Sequence, residues 1–241
     1  MAPTHSTDIQ DNGRSAMFTP KHPLAWFVLT EIVYISSVRL LVFNFKGSSI
    51  SMELYWTALR VVSIIALLLL FKPLIWRKSD SARFPVIVFL AVLALLLTSF
   101  LEPHPILPPL FKYLLAATSV FVGFREEIAY RGVLQRLLTD KFGFLVALLV
   151  SNVGFLFYHL GVQPFNPWNI LLIFGYGISL GLIYRITGSI VLVALVHTAW
   201  DAVNAINPFA VTPATAWIGM ILLAGSITLL ATKCPKGMEE R

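Results

Sequence analysis

The chain has 241 residues, of which 57% are hydrophobic and only 12% are charged. A soluble globular domain is about 45 to 50% apolar and about 25% charged, so this composition excludes an ordinary soluble protein. We assign the net charge of +6 to membrane topology and to contact with the headgroups of the lipid bilayer, not to binding of nucleic acid. The single cysteine, Cys234, excludes an intramolecular disulfide and a cysteine-rich metal site. We therefore expect an all-α fold, a polytopic bundle of transmembrane helices.

The chain opens with a polar segment, 1–22, which lacks the apolar core of a secretory signal and is expected to be a cytoplasmic tail. A transmembrane helical domain is predicted for 23–232, because apolar segments of about 20 residues alternate there with proline-containing gaps. The eight predicted spans cover residues 23–45, 54–71, 84–101, 108–138, 142–160, 168–184, 189–206 and 214–231. A second short cytoplasmic tail is predicted for 233–241.

The positions of lysine and arginine predict the orientation of these spans, since short cytoplasmic loops retain positive charge. The loops 102–107, 161–167 and 207–213 contain neither residue. Positive charges lie at or beyond the ends of spans two, four, six and eight, at Lys72, Arg77, Lys78, Arg83, Arg136, Lys141, Arg185, Lys233, Lys236 and Arg241. This alternation predicts a multi-pass protein with both termini in the cytoplasm.

Two adjacent acids, Glu126 and Glu127, lie inside the apolar span four. An ionised carboxylate in hydrocarbon costs on the order of 2.5 to 3.5 kcal/mol, so such residues persist mainly where they are paired or functional. Arg131 follows Glu127 by four residues and shares its helix face, whereas Glu126 projects about 100° away. We predict that Arg131 neutralises Glu127 and leaves Glu126 free to take a proton from water. The alternative is a static ion pair that holds helices together.

The length of span four sets a further constraint. A single helix through 109–141 would be longer than the hydrocarbon core of roughly 30 Å, so we expect it to tilt, break or protrude.

Two histidines supply further candidates. His159 ends an aromatic run, 155–159, and could be a catalytic residue or an aromatic neighbour at the membrane interface. His197, Asp201 and Asn204 fall on one stripe of span seven, which requires a polar cavity. The aspartate could orient the imidazole of a working histidine, or the two could be a hydrogen-bonded packing pair.

Three motifs follow one another along the chain on separate spans, and their order is much more specific than any one of them alone. They contain the candidate catalytic residues Glu126, Glu127, Arg131, His159, His197 and Asp201. The second motif also includes Phe155, four residues before His159. Across about 121–204 they resemble the CAAX protease and bacteriocin-processing enzyme family, which includes the type II CAAX prenyl endopeptidases. The resemblance implies an intramembrane endopeptidase that cleaves a membrane-anchored protein or peptide, and we expect it in a prokaryotic inner or plasma membrane.

The resemblance also implies roles for the candidate residues. Glu126 would be the base that activates water, and His159 would share or steer its proton. His197, helped by Asp201, would bind the developing oxyanion. Glu127 and Arg131 would hold the site open. The family commonly has asparagine at the position of Asp201, and an ionised aspartate cannot donate a hydrogen bond. We therefore expect Asp201 to hold His197 in its charged form rather than to bind the oxyanion.

Two other catalytic chemistries remain open. The preferred hypothesis requires no cofactor, but Glu126, His159 and His197 match the two-histidine, one-glutamate set of catalytic zinc sites, although an HExxH motif is absent. Residues 177–181 match GxSxG, so a rhomboid-like dyad of Ser179 and His197 is a second possibility. Gly177 and Gly181 more simply predict a helix-packing face of small residues.

A non-enzymatic transporter or scaffold is a further alternative, because acids and histidines at the midplane also occur in proton-coupled carriers. Carriers usually contain paired halves related by inverted repeats, and the sequence shows none.

Overall fold

The computed structural model describes residues 20–44, 50–76, 109–160 and 166–206, together with residues 221, 224, 225 and 228. Every regular element in these ranges is helical, so the expected all-α class is confirmed for this part of the chain. The elements are α1 (Pro23–Asn44), α2 (Ile50–Ile75), α3 (Pro109–Glu127), a π-helical stretch that we call the π segment (Ile128–Gln135), α4 (Arg136–Phe142), α5 (Phe144–His159), α6 (Pro167–Thr187) and α7 (Ile190–Ile206).

Three of these helices, α1, α2 and α6, are long and apolar enough to cross a membrane. Helices α5 and α7 are apolar but shorter, so the predicted count of eight spans is not confirmed. The predicted span 84–101, most of the span 214–231, and the tails 1–19 and 233–241 lie outside the described residues.

The outer faces of the first two helices are apolar. Leu40, Phe43, Val62 and Leu69 each expose more than 60% of their surface. Large exposed apolar side chains along helices of membrane-spanning length are typical of contact with lipid. The inner faces of the same helices bury Val38, Leu67 and Phe71, among other residues of the core.

The fourth predicted span, 108–138, changes its helical form along its length. It starts as α3, becomes the π segment at Ile128 and returns to an α-helix that ends at Phe142, where Gly143 adopts a positive φ of 80°. A π-helix is rare and often marks a functional site. All eight residues of the π segment are buried, so contacts with neighbouring helices offset its less favourable backbone geometry.

Helix α3 packs along α7 at very short distance, and Gly123 makes this possible. A Cβ atom at position 123 would lie 2.6 Å from Thr198 Oγ1 and 2.7 Å from the Ala194 carbonyl oxygen, closer than real Cβ atoms come. The absence of a side chain therefore lets the two backbones approach and brings the last turn of α3 beside the middle of α7.

The glycines of the GxSxG sequence form a packing face, as predicted. A Cβ atom at Gly177 would overlap Asn152 Oδ1 on α5, and one at Gly181 would overlap Leu148 Cδ1 on the same helix. Close approach at both positions places α6 against α5 and against the π segment.

Candidate active site

The two acids of the first motif are the last two residues of α3, and both are buried. Arg131, in the π segment, places Nη1 at 3.1 Å from Glu127 Oε1 and donates from Nη2 to the Gly177 carbonyl at 2.9 Å. Its guanidinium lies 4.5 Å from the centre of the Phe155 ring. The predicted pairing of Arg131 with Glu127 is confirmed, and the pair also links the π segment to α5 and α6.

Glu127 also fixes the orientation of His197. The Nδ1 atom of His197 lies 2.7 Å from Glu127 Oε1, and because a carboxylate oxygen accepts, Nδ1 donates this hydrogen bond. The sequence predicted that Asp201 would orient this ring, but Asp201 Oδ2 lies 3.6 Å from the other nitrogen, Nε2. The prediction missed Glu127 because only the packing of α3 on α7 brings that carboxylate to the ring.

Glu126 faces both histidines. Its Oε2 atom lies 3.8 Å from His159 Nε2 and 3.8 Å from His197 Nε2. This distance is too long for a direct hydrogen bond. Within the described part of the chain, Oε2 is buried and accepts no hydrogen bond. A buried polar atom in this condition is costly and calls for a functional explanation.

The hydrogen bonds of the two histidines determine which ring nitrogen faces the acid. His159 is the last residue of α5, and its Nδ1 atom lies 2.8 Å from the Phe155 carbonyl oxygen, which can only accept. Nδ1 therefore carries a proton and Nε2 is the atom directed at Glu126. Both histidines thus present Nε2 to the same carboxylate oxygen, an arrangement suited to the transfer of a proton.

Aromatic side chains surround the imidazoles. The centre of the Phe155 ring lies 4.5 Å from that of His159 and 6.0 Å from that of His197. Tyr176 packs edge-on against His197 at 5.5 Å and stacks on Trp200 at 5.2 Å. These rings restrict the orientations of both histidines and lower the local dielectric constant, which strengthens electrostatic interactions in the site.

Glu126, His159 and His197 are also the residues that the sequence offered as zinc ligands. In the described ranges, no group of three or more His, Cys, Asp or Glu side chains is arranged to hold a metal ion. Glu126 Oε2 lies 3.8 Å from Nε2 of each histidine.

The geometry also does not support the serine dyad. Ser179 Oγ donates to the Gly175 carbonyl of its own helix at 2.9 Å, while both ring nitrogens of His197 face carboxylates. Asn204, on the same stripe of α7, donates to the Trp200 carbonyl at 2.9 Å.

Sequence reasoning missed a second group of buried charges beside the site. Arg125 Nη2 lies 2.6 Å from Glu31 Oε1, and Arg60 Nη1 lies 2.6 Å from Glu53 Oε1. Glu31 and Arg60 fall inside the apolar spans predicted at 23–45 and 54–71. A charged residue in an apolar span is costly, and this argument identified the first motif. The same argument applies to Glu31 and Arg60 and could have identified them from the sequence.

Comparison with known proteins gives one family match. Residues 108–203 match the family described as type II CAAX prenyl endopeptidase Rce1-like. The matched region includes the residues of all three motifs and excludes α1 and α2. No curated protein and no solved structure matches the chain.

Proposed function

We propose that the protein hydrolyses a peptide bond inside the membrane with water activated by Glu126, because residues 108–203 match the Rce1-like family of type II CAAX prenyl endopeptidases. The family indicates a protease, and together with the apolar helices it indicates an integral membrane protein. The observation that carries the proposed mechanism is the position of the buried Glu126 Oε2 atom, 3.8 Å from Nε2 of both His159 and His197.

The first step is the activation of water. Polar atoms 3.8 Å apart are too distant to bond directly but close enough to share one water molecule. Water bound at Glu126 Oε2 and His159 Nε2 transfers a proton to the carboxylate while its oxygen attacks the carbonyl carbon of the substrate. His159 Nε2, which carries no proton, accepts the other hydrogen bond of this water and orients it.

The second step is the stabilisation and collapse of the tetrahedral intermediate. In its imidazolium form, His197 donates from Nδ1 to Glu127 and from Nε2 to the oxyanion; loss of one such donor typically costs about 10² to 10³ in rate. The carbon–nitrogen bond then breaks, and the proton held by Glu126 passes to the departing amine. The products are a new carboxylate and a new amine.

The remaining acid has a supporting role. Asp201 cannot donate to the oxyanion while it is ionised, and its carboxylate faces the Nε2 atom of His197. It is placed to balance the positive charge of the imidazolium.

The substrate class in this proposal is a membrane-anchored protein or peptide. Two synthetic probes represent the main kinds of membrane-anchored substrate: a farnesylated CAAX peptide, and an unlipidated peptide with one membrane-spanning segment. Each probe is reconstituted with the purified protein in lipid vesicles. Reaction in H₂¹⁸O should place one ¹⁸O atom in the new carboxyl terminus of the cleaved probe, as mass spectrometry would show. Recovery of both probes intact under all conditions would contradict the proposed function.

The glutamate mechanism is tested by Glu126→Gln, which removes the base and preserves the shape of the side chain. We expect the variant to remain folded and inserted while turnover of the probe is abolished. Ser179→Ala is the matched control, because its hydroxyl contacts the α6 backbone, and we expect it to retain most activity. Turnover by Glu126→Gln at the wild-type rate would contradict the mechanism, and an inactive but folded Ser179→Ala would favour the serine dyad.

The choice between glutamate and metal chemistry is tested by chelation. We expect protein stripped with a strong chelator to cleave the same probe at an undiminished rate, because the proposed steps use only protein side chains and water. Stoichiometric zinc whose removal stops the reaction and whose return restores it would establish the metal-dependent mechanism instead.

A further inference from the structure

A buried ion pair joins Glu31 on α1 to Arg125 on α3, the residue directly before Glu126. Arg125 is fully buried, and its Nη2 atom lies 2.6 Å from Glu31 Oε1. Arg125 Nε also donates to Ser63 Oγ at 3.4 Å, and the Tyr130 hydroxyl donates to Glu31 Oε2 at 3.2 Å. A buried ion pair is often no more stabilising than well-packed apolar residues, so stability alone does not account for it.

The same pair is packed against the end of α5. The Arg125 guanidinium lies 3.7 Å from the centre of the Tyr34 ring and 5.1 Å from that of Tyr158. The two tyrosine rings stack with centroids 6.1 Å apart. Arg39, also on α1, donates to the Tyr158 carbonyl at 3.3 Å. Through these groups, α1 is linked to Arg125 on α3 and to Tyr158 on α5.

These two residues directly precede the two groups that the mechanism brings together. Arg125 is followed by Glu126, and Tyr158 is followed by His159. A movement of either residue is transmitted to its catalytic neighbour through a single planar peptide unit.

We infer that Glu31 and Arg125 form a positioning pair, which holds Glu126 Oε2 at the correct distance from His159 Nε2. The inference rests on the proposed function and extends it to α1, a helix outside the region that matches the family. Neither Glu31 nor Arg125 contacts the substrate in this assignment; both act through the residues that they hold.

The kinetic test uses a double variant, because a single replacement would leave one buried charge unpaired and could prevent folding. Glu31→Leu/Arg125→Met removes both charges and keeps comparable volume. We expect the folded variant to show a kcat lower by about 10- to 100-fold, since a displacement near 1 Å can reduce a rate by this amount. The KM for the membrane peptide should stay within about twofold, because the pair does not contact substrate.

The matched control is Val38→Ala. Val38 is buried on α1 seven residues after Glu31, so its truncation weakens the packing of the same helix without removing a charge. We expect kcat of this variant to remain within about twofold of wild type, since the positioning contacts are intact. An equal loss of kcat in Val38→Ala would assign the effect to general loosening of α1 and overturn the inference.

A second measurement does not depend on peptidase activity. Cysteines replace Glu126 and His159 in a Cys234→Ser background, and a short thiol-specific cross-linker joins them, with yield quantified by mass spectrometry of the linked peptides. We expect the yield to fall at least about threefold when Glu31→Leu/Arg125→Met is added and to be unchanged when Val38→Ala is added, since only the double variant removes the contacts that hold position 125 to α1 and to Tyr158.

The two measurements separate the inference from the proposed function. If the wild-type protein cleaves neither probe, the proposed function fails, and cross-linking alone decides whether the pair positions these residues. If the wild-type protein is active, both kcat and cross-linking must fall in the double variant. A normal kcat, a normal cross-linking yield, or a change confined to KM would overturn the inference.

Discussion

Glu127 is the residue that joins the first and third motifs. One of its oxygens, Oε1, accepts from Arg131 at 3.1 Å and from His197 at 2.7 Å. A carboxylate between two donors stabilises both of them, so its removal leaves a buried guanidinium unpaired and an imidazole without an acceptor at Nδ1. The sequence predicted the first of these contacts from helical spacing and did not predict the second.

We expect Glu127→Ala to lower the free energy of unfolding by about 3 to 5 kcal/mol, the usual consequence of stranding one member of a buried ion pair. Activity should fall together with stability, because the same change releases the ring of His197. Thermal unfolding in detergent and cleavage of the membrane peptide measure the two effects.

Glu127→Gln is the matched control for this change. Its amide oxygen can still accept from His197 and its volume is almost unchanged, so we expect a smaller loss of stability. If Glu127→Ala unfolded at the wild-type temperature, the pairing with Arg131 would carry no energetic weight.

At the level of the elements, the contact between α3 and α7 determines whether the site forms. Gly123 on α3 faces Ala194 and Thr198 on α7. The two carboxylates lie one turn further along α3, and His197 directly precedes Thr198 on α7. The Glu127–His197 hydrogen bond of 2.7 Å therefore depends on the close approach of two backbones.

We expect Gly123→Ala to separate α3 from α7 and to destabilise the protein by about 1 to 3 kcal/mol, as overpacking of a tight core commonly does. Because a Cβ atom there would lie 2.6 to 2.8 Å from atoms of α7, the helices must move and activity should fall. Thermal unfolding and the peptide assay check both outcomes.

Gly154→Ala provides the comparison. A Cβ atom at that position would meet its nearest neighbour, Leu134 Cδ2, at 3.5 Å, which is ordinary van der Waals contact. We expect little change in stability or activity. Similar behaviour of the two alanine variants would refute the role given to Gly123.

The π segment is the other element-scale feature on which the site depends. It places Arg131 where its side chain reaches Glu127, the Gly177 carbonyl and the Phe155 ring at once. The four-residue spacing in the sequence predicts that the acid and the base share one helix face. It does not predict the contacts of Arg131 with α5 and α6, which accompany the change to a π-helix.

At the scale of the whole molecule, the distribution of positive charge predicts both termini in the cytoplasm. Cys234 is the single cysteine of the chain and lies in the predicted C-terminal tail, outside the described residues. This makes it a natural reporter of orientation. We expect a membrane-impermeant thiol reagent to label Cys234 in inverted membrane vesicles and not in intact cells.

A cysteine on the predicted opposite side supplies the control. Gln163→Cys in a Cys234→Ser background places a thiol in the loop 161–167, which contains no lysine or arginine. This variant should be labelled in intact cells. Labelling of Cys234 in intact cells would show that the predicted orientation is wrong.

The sequence by itself determined the all-helical membrane class, the Glu127–Arg131 pair and the small-residue face of α6, because each follows from local periodicity and from the cost of polar atoms in hydrocarbon. It also pointed to Glu126 and both histidines, whose order along the chain is specific. These are properties of neighbouring positions on one helix or of composition.

Only the tertiary structure decided which groups face one another. The orienting acid of His197 is Glu127, separated from it by 70 residues, and the partner of Arg125 is Glu31, separated by 94. Contacts over such separations arise from the packing of α1, α3, α5 and α7. That packing depends on local features such as the missing side chain of Gly123 and the buried π segment, and helical periodicity along one segment carries no information about which other helix will lie against it.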